Sequence, residues 1–177
     1  MGQTRWVVDA VHSSAEFEVQ HMAVSVFRNR FRTLSGAVTL DEGAPAQSSL
    51  EATIDLRSID VAPGRFLDTL YSPAFFDVEK EPTMRFVSQS VSRTDATSWK
   101  VSGTLTLRGA SKPLELTVTD RGGGTNPFSK KPMRSFHARG ELNRADYGLT
   151  WNATLDTGAA YLGERVTIDL NLELVES

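Results

Sequence analysis

Apolar and polar residues alternate with a period of two along most of the chain. Ala15, Phe17, Val19 and His21 share one side of an extended segment, with Glu16, Glu18 and Gln20 on the other. The same alternation recurs at 50–56, 99–107, 114–118, 136–142 and 166–174, and more weakly at 31–40 and 83–91. Successive side chains of a strand point to opposite faces, so each segment has one dry and one wet side. The pattern predicts eight strands. One-sided strands with no long amphipathic helix between them pair antiparallel. A curled sheet of about eight strands closes on itself, removes its edges, and at that size holds one small ligand. The expected fold is therefore all-β, an eight-stranded antiparallel barrel.

Residues 64–78 break the period. Phe66, Leu67, Leu70 and Tyr71 fall on one face of a short helix that Ser72-Pro73 ends, and Phe75-Phe76 follow. No strand needs these apolar groups, so the helix is expected near the barrel mouth, where it would act as a lid; a dimer interface is the alternative use of the same patch. A second irregular piece, Asn143 to Leu149, reads as one helical turn, capped by Asn143 and ended by a left-handed Gly148. Turns or loops are expected at Asp41-Glu42-Gly43-Ala44-Pro45, at 108–113 and at Arg121-Gly122-Gly123-Gly124. The last is read as a flexible hairpin loop, because no Gly-Lys-Ser/Thr follows it to make a phosphate cradle.

Length and charge narrow the function classes. At 177 residues the chain is one domain, 1–177, with no repeat and no linker. Nineteen Lys+Arg against 22 Asp+Glu give a net charge of −3. A nucleic-acid binder would normally carry a basic stripe, so no nucleic-acid partner is expected. No apolar run is long enough for a transmembrane segment. The start, Met1-Gly2-Gln3-Thr4-Arg5-Trp6, has no apolar core of a secretory signal. The chain is thus cytoplasmic as written, or periplasmic if it is a trimmed form. The absence of cysteine removes disulfides, thiol catalysis and thiolate metal sites.

Candidate chemistry is sparse. The histidines are His12, His21 and His137. Alternation turns His21 to the dry face and His137 away from it, so they share no metal pocket. Asp9, His12 and Ser13 lie too close in sequence to take triad roles on one extended strand, and no Gly-x-Ser-x-Gly elbow exists. His12 reads as the hydrogen-bonding residue of a turn between the first two strands. His21 is either a core histidine or, in a hollow barrel, a polar atom facing a ligand. Phe66, Phe75, Phe76, Met84, Phe86, Trp99, Phe136 and Trp151 supply more soft surface than a thin barrel core needs, with ordinary packing as the alternative.

These residues also carry a family resemblance. Trp6-Val7-Val8-Asp9, His12-Ser13, Phe17, Val19 and His21 resemble the opening of YceI-like proteins. The likeness continues through Asp55, Ser58-Ile59, Leu67-Asp68, Leu70, Ser72-Pro73 and Phe75-Phe76-Asp77-Val78, then Pro82, Met84 and Phe86. It resumes at Val101, Gly103, Leu105-Thr106-Leu107, Gly109 and Lys112, and ends with Asn143 to Leu149, Leu162-Gly163-Glu164 and Val166. Members frequently carry Arg-Asp and His just before the position of Leu70; here Phe66-Leu67 and Thr69 stand there, a greasier mouth. Asn29 stands where glycine is common.

The resemblance implies a lipocalin-like barrel with a long isoprenoid chain in its interior, often dimeric and not established as an enzyme. For this chain it implies binding or transport of a polyisoprenoid or isoprenoid quinone, with no cofactor, no catalytic residue, no metal ligand and a possible homodimer. An enzyme acting on a small hydrophobic substrate, or a ligand-free stress or interaction module, are the alternative readings. The expected ligand-binding residues are Phe17, Val19, His21, Leu50, Ile54, Phe66, Leu70, Phe75, Phe76, Met84, Phe86, Trp99, Val101, Leu105, Phe136, Trp151, Val166 and Ile168.

Overall fold

The alternating segments become strands whose dry faces meet around a common axis. The structure, a computed structural model, describes residues Gly2–Ser177; Met1 lies outside them. The strands are β1 (Thr4–Val8), β2 (Ser14–His21), β3 (Ser25–Phe31), β4 (Leu34–Leu40), β5 (Ser49–Asp55), β6 (Thr83–Arg93), β7 (Ser98–Leu107), β8 (Ala110–Thr125), β9 (Pro132–Asn143) and β10 (Leu162–Glu176). One α-helix, α1 (Arg65–Tyr71), lies between β5 and β6. No helix among the described residues is long and apolar enough to cross a membrane.

Pairing is antiparallel throughout and runs β1-β4-β5-β6-β7-β8-β9-β10, and β1 pairs again with β10. The ring is a closed barrel of eight staves. β1 and β2 are two lengths of one stave, because both pair with β10: β1 through Leu174 to Glu176 and β2 through Leu162 to Asn171. β3 and β4 form a second broken stave. The single weak strand expected over 31–40 is thus divided, with a bend at Arg32-Thr33. Most of β3 went unseen in the pattern because Val26 faces outward and Asn29 inward, which blurs the alternation.

Two loop expectations are corrected. Gly122, Gly123 and Gly124 belong to β8 and pair with Ser135, Arg134 and Met133. A Cβ on Gly123 would collide with the Met133 carbonyl oxygen, so this glycine serves close strand approach, not flexibility. The connecting loop comes later, at 126–131. At 108–113 only Arg108 and Gly109 turn, at φ 52° and 74°, and β8 already begins at Ala110. Positive φ at both central residues matches the twist of a tight hairpin.

Other local readings agree with the structure. Asn143 accepts the Ala145 N–H at 2.9 Å, and Gly148 sits at φ 72° after the 3₁₀ turn Arg144–Tyr147. His12 donates its Nδ1–H to the Asp9 carboxylate at 2.9 Å, in the turn between β1 and β2.

The two barrel ends differ. Trp6 and Leu174 bury at the end where β1 closes on β10. At the other end β3 leaves β5, and residues 56–61 fill the gap: Arg32 N–H donates to Ser58 O at 3.0 Å and Asp60 N–H to Arg30 O at 2.9 Å. α1 follows this segment directly. Seven residues are too few for a helix to persist on propensity, so packing holds it. Leu70 is buried, and Phe66 meets Phe27 of β3 at 5.9 Å.

Candidate ligand cavity

The inner faces of the staves do not meet at the axis, and a cavity of about 760 Å³ remains inside the barrel. From β2 it is lined by Phe17, Val19 and His21, and from β5 by Leu50 and Ile54. Met84 and Phe86 of β6, Trp99, Val101 and Leu105 of β7, Phe136 of β9, and Val166 and Ile168 of β10 complete the wall. Phe66 and Leu70 of α1, Phe75 and Phe76 after it, and Trp151 also line it. Every residue singled out for this role from the sequence therefore borders one space.

The helix meets it differently from the expected face. Arg65, Phe66, Thr69 and Leu70 border the cavity, while Leu67 and Tyr71 do not. Tyr71 instead donates its hydroxyl to the Arg57 carbonyl at 2.6 Å. Phe66 and Trp151 line the cavity and are also exposed, so both stand where the cavity wall meets solvent.

Aromatic rings form a continuous chain along this wall. It runs Phe17–Phe31 at 5.6 Å, Phe31–Phe76 at 6.0 Å, Phe76–Phe75 at 5.6 Å and Phe75–Trp151 at 6.2 Å. Trp151 then meets Tyr161 at 5.8 Å, and Tyr161 meets His21 at 4.8 Å. The two ends of the run, Phe17 and His21, lie four residues apart on β2. Tilted and edge-on contacts of this kind add to the burial they accompany. Sequence reasoning missed Phe27, Phe31 and Tyr161: the first two lie on the blurred β3, and Tyr161 belongs to a loop without periodicity.

One buried cation stands among these apolar groups. Arg144 borders the cavity, and its guanidinium meets only backbone carbonyls. Nε donates to Gly163 O at 2.7 Å, Nη1 to Trp151 O at 2.9 Å and to Leu149 O, and Nη2 to Leu162 O at 3.2 Å. Burial pushes its pKa below the usual arginine range, and the nearby Glu164 partly opposes this. Asn152 reinforces the same loop by accepting from Leu162 N–H at 2.9 Å and donating to its carbonyl at 2.8 Å. Arg144 thus gathers the two ends of the 149–163 loop, which carries Trp151 and Tyr161.

The remaining histidines lie outside the cavity. His137 bonds Asp169 at 2.9 Å on the outer wall. Ser13 exchanges hydrogen bonds with the Glu173 backbone at 3.0 and 3.3 Å, so it is no partner for His12. The ligating atoms of Asp9, His12 and Glu173 lie within 4.8 Å of one another, the one grouping of metal-ligand type among the described residues. Asp9 already accepts from Val11 and His12 N–H groups, the ordinary bonding of an Asx turn.

Comparison with known proteins agrees with this architecture. The model of the YceI-like domain matches residues 6–174. A UPF0312 protein of Staphylococcus epidermidis is 30% identical over 172 residues, covering 96% of each chain. Protein YceI of Salmonella newport is 30% identical over 165 residues, 93% of this chain and 82% of that one. Among solved structures, Burkholderia cenocepacia BcnA superposes with a TM-score of 0.80 at 23% identity, covering 94% of this chain and 98% of its own. A polyisoprenoid binding domain from Saccharophagus degradans, implicated in plant cell wall breakdown, gives 0.65 at 17% identity over 99% and 100% of the two chains. With its signature residues spread along the staves and its family match spanning the barrel from Trp6 to Leu174, this chain belongs to the YceI-like family.

Proposed function

We propose that this protein binds and carries one long-chain amphiphilic lipid, a polyisoprenoid or an isoprenoid quinone, inside the barrel and without catalysis. The observation that carries the reading is the cavity: about 760 Å³, walled by aliphatic and aromatic side chains and open at an aromatic mouth. Sites for small ligands usually measure about 300–1,000 Å³. Each buried methylene-sized group contributes about 0.8 kcal/mol, so ten of them supply ~8 kcal/mol before the costs of binding. A tail is retained on that term without polar contacts. His21, Tyr161 and Arg65 at the mouth remain for a head group. The name of the Saccharophagus degradans neighbour supports the ligand class.

The non-catalytic reading is supported by the one histidine of the lining: the His21 ring packs edge to face with Tyr161 and has no carboxylate hydrogen-bonded to it among the described residues. The eighteen residues expected from the sequence act as part of a greasy wall, with α1 and Phe75-Phe76 as the lid. The test is an organic extract of the protein purified from a bacterial host, read by mass spectrometry. One long-chain lipid per protein is expected. Protein that yields none, and takes up no polyprenol from detergent micelles, overturns the reading.

A further inference from the structure

We infer that the rim of the cavity mouth docks on a lipid bilayer, with the β2–β3 hairpin tip inserted. This rests on the lipid-carrier reading above and adds where the lipid is collected. The tip is built against its own conformational preference. Val24 N–H closes a turn on His21 O at 3.3 Å, with Met22 at φ 52° and Ala23 at φ 59°. Two successive left-handed positions favour Asn-Gly, since other side chains adopt them at a cost. Met and Ala at this turn are not explained by the barrel interior, because neither borders the cavity.

The side chains of the tip face water. Val24 is 85% exposed and Val26 51%, and Met22 is exposed beside them. Of nine large apolar residues exposed among the described residues, five belong to this rim: Met22, Val24, Val26, Phe66 and Trp151. The tip is fixed there by Met22 N–H, which donates to Tyr161 O at 2.7 Å, and by the Phe27–Phe66 contact at 5.9 Å. The exposed tip is therefore tied directly to residues that border the cavity.

The rim is also sorted by depth, which favours a bilayer over a protein partner. Met22, Ala23 and Val24 project beyond the last pair of the hairpin, His21 with Ser25; Val26 sits one rung further in across from Gln20, and Tyr161 packs on His21 with Trp151 beside it. Next down the outer face of β3 come Arg28 and Arg30, paired with Glu18 and Asp60. From Val19 to Leu40 the chain has no acidic residue. Apolar tip, aromatic belt and long cationic stems follow the order of a membrane interface. With Asp68 and Asp156 also nearby in the rim segments, the charge is mixed, so docking should not require an anionic surface.

The test is flotation with vesicles of phosphatidylcholine, alone and mixed with phosphatidylglycerol, beside uptake of polyprenol from detergent micelles. Wild type should float with both vesicles. Val24→Asp/Val26→Asp should lower partitioning by ~10-fold, the effect of two lost apolar contacts, with uptake from micelles unchanged. Met22→Asn/Ala23→Gly relaxes the turn, so it should raise Tm and still weaken partitioning by about threefold. A tip with only a structural role would raise Tm and leave partitioning alone, which overturns docking. Variants that float like wild type also overturn it, as does an aspartate variant that merely turns a dimer into monomers. Wild type that takes up polyprenol from micelles but does not float overturns docking and leaves the carrier reading standing. Protein that floats but takes up no polyprenol overturns the carrier reading and leaves docking standing.

Discussion

The rings of His21 and Tyr161 meet edge to face, their centroids 4.8 Å apart and their planes at 81°. This contact joins the end of β2 to a loop almost at the other end of the chain. It ends the run of ring contacts that borders the cavity. The loop is held by Arg144 and the hairpin by the loop, so mouth geometry depends on one buried guanidinium.

Replacing Arg144 with Met should therefore cost stability and ligand together. It leaves the carbonyls of Leu149, Trp151, Leu162 and Gly163 without their shared donor. Each buried unpaired group costs about 1–3 kcal/mol, so a loss of ~3 kcal/mol or more is expected in chemical denaturation. Arg144→Lys should recover only part of it, since an ammonium cannot copy the fork. A Met variant as stable as wild type would refute this role.

The lid is best tested at Phe66 alone. Leu70 is buried, so Leu70→Ser would cost several kcal/mol by itself and confuse retention with stability. Phe66 is half exposed, and Phe66→Ser should cost less than ~1 kcal/mol. Lipid retained through gel filtration should still fall several-fold. A variant that keeps its lipid but shifts from dimer to monomer would make this patch an interface.

Gly123 and Gly124 should respond oppositely to alanine. The Cβ of Gly123→Ala meets the Met133 carbonyl and forces β8 from β9, an expected loss of about 1–3 kcal/mol. Nothing lies near the Cβ of Gly124→Ala, so that change should be neutral or slightly stabilising. Thermal melts of the two variants decide it; equal tolerance would restore the flexible-loop expectation.

The Asp9–His12 pair makes a pH prediction with a definite sign. The hydrogen bond to Asp9 raises the His12 pKa above its ordinary 6.5, and the same bond lowers that of Asp9 below 3.8. A raised histidine adds stability below its unfolded pKa and loses it as pH climbs through the folded value. A lowered carboxylate adds stability above its unfolded pKa and loses it as pH falls through the folded value. The pair thus stabilises most between the two unfolded values, in mildly acid solution. The difference between wild type and His12→Ala, followed by denaturation midpoint, should shrink as pH rises past neutrality. His12 is exposed and Asp9 only partly buried, so solvent screening keeps the effect small. A difference that grows with pH would contradict the assignment.

The inner wall was legible in the sequence because alternation is a local rule. Phe17, Val101, Leu105 and Ile168 point inward wherever their strands form, since a one-residue slip would expose each whole set. The capped turn after Asn143 and the stop at Ser72 were equally local, each decided by one or two side chains. Where local signals conflicted, the fold decided. Gly122 to Gly124 look like a loop until β9 lies beside them, and only then does the missing Cβ become a packing requirement.

Whether the barrel is filled or hollow belongs to the tertiary structure alone. The same alternating residues would suit either case; the volume depends on closure, on stave tilt and on how far side chains reach from every strand at once. Tyr161, Phe27 and Arg144 enter the site for the same reason. Nothing in the immediate neighbours of Tyr161 or Phe27 marks them, and the capped turn that contains Arg144 does not say where its guanidinium goes. They meet because β10 holds both β1 and β2 along one edge and brings the loop before it back to the hairpin. The chain's periodicity thus determined which side of each strand is dry, and closure of the ring determined that the dry sides enclose a space.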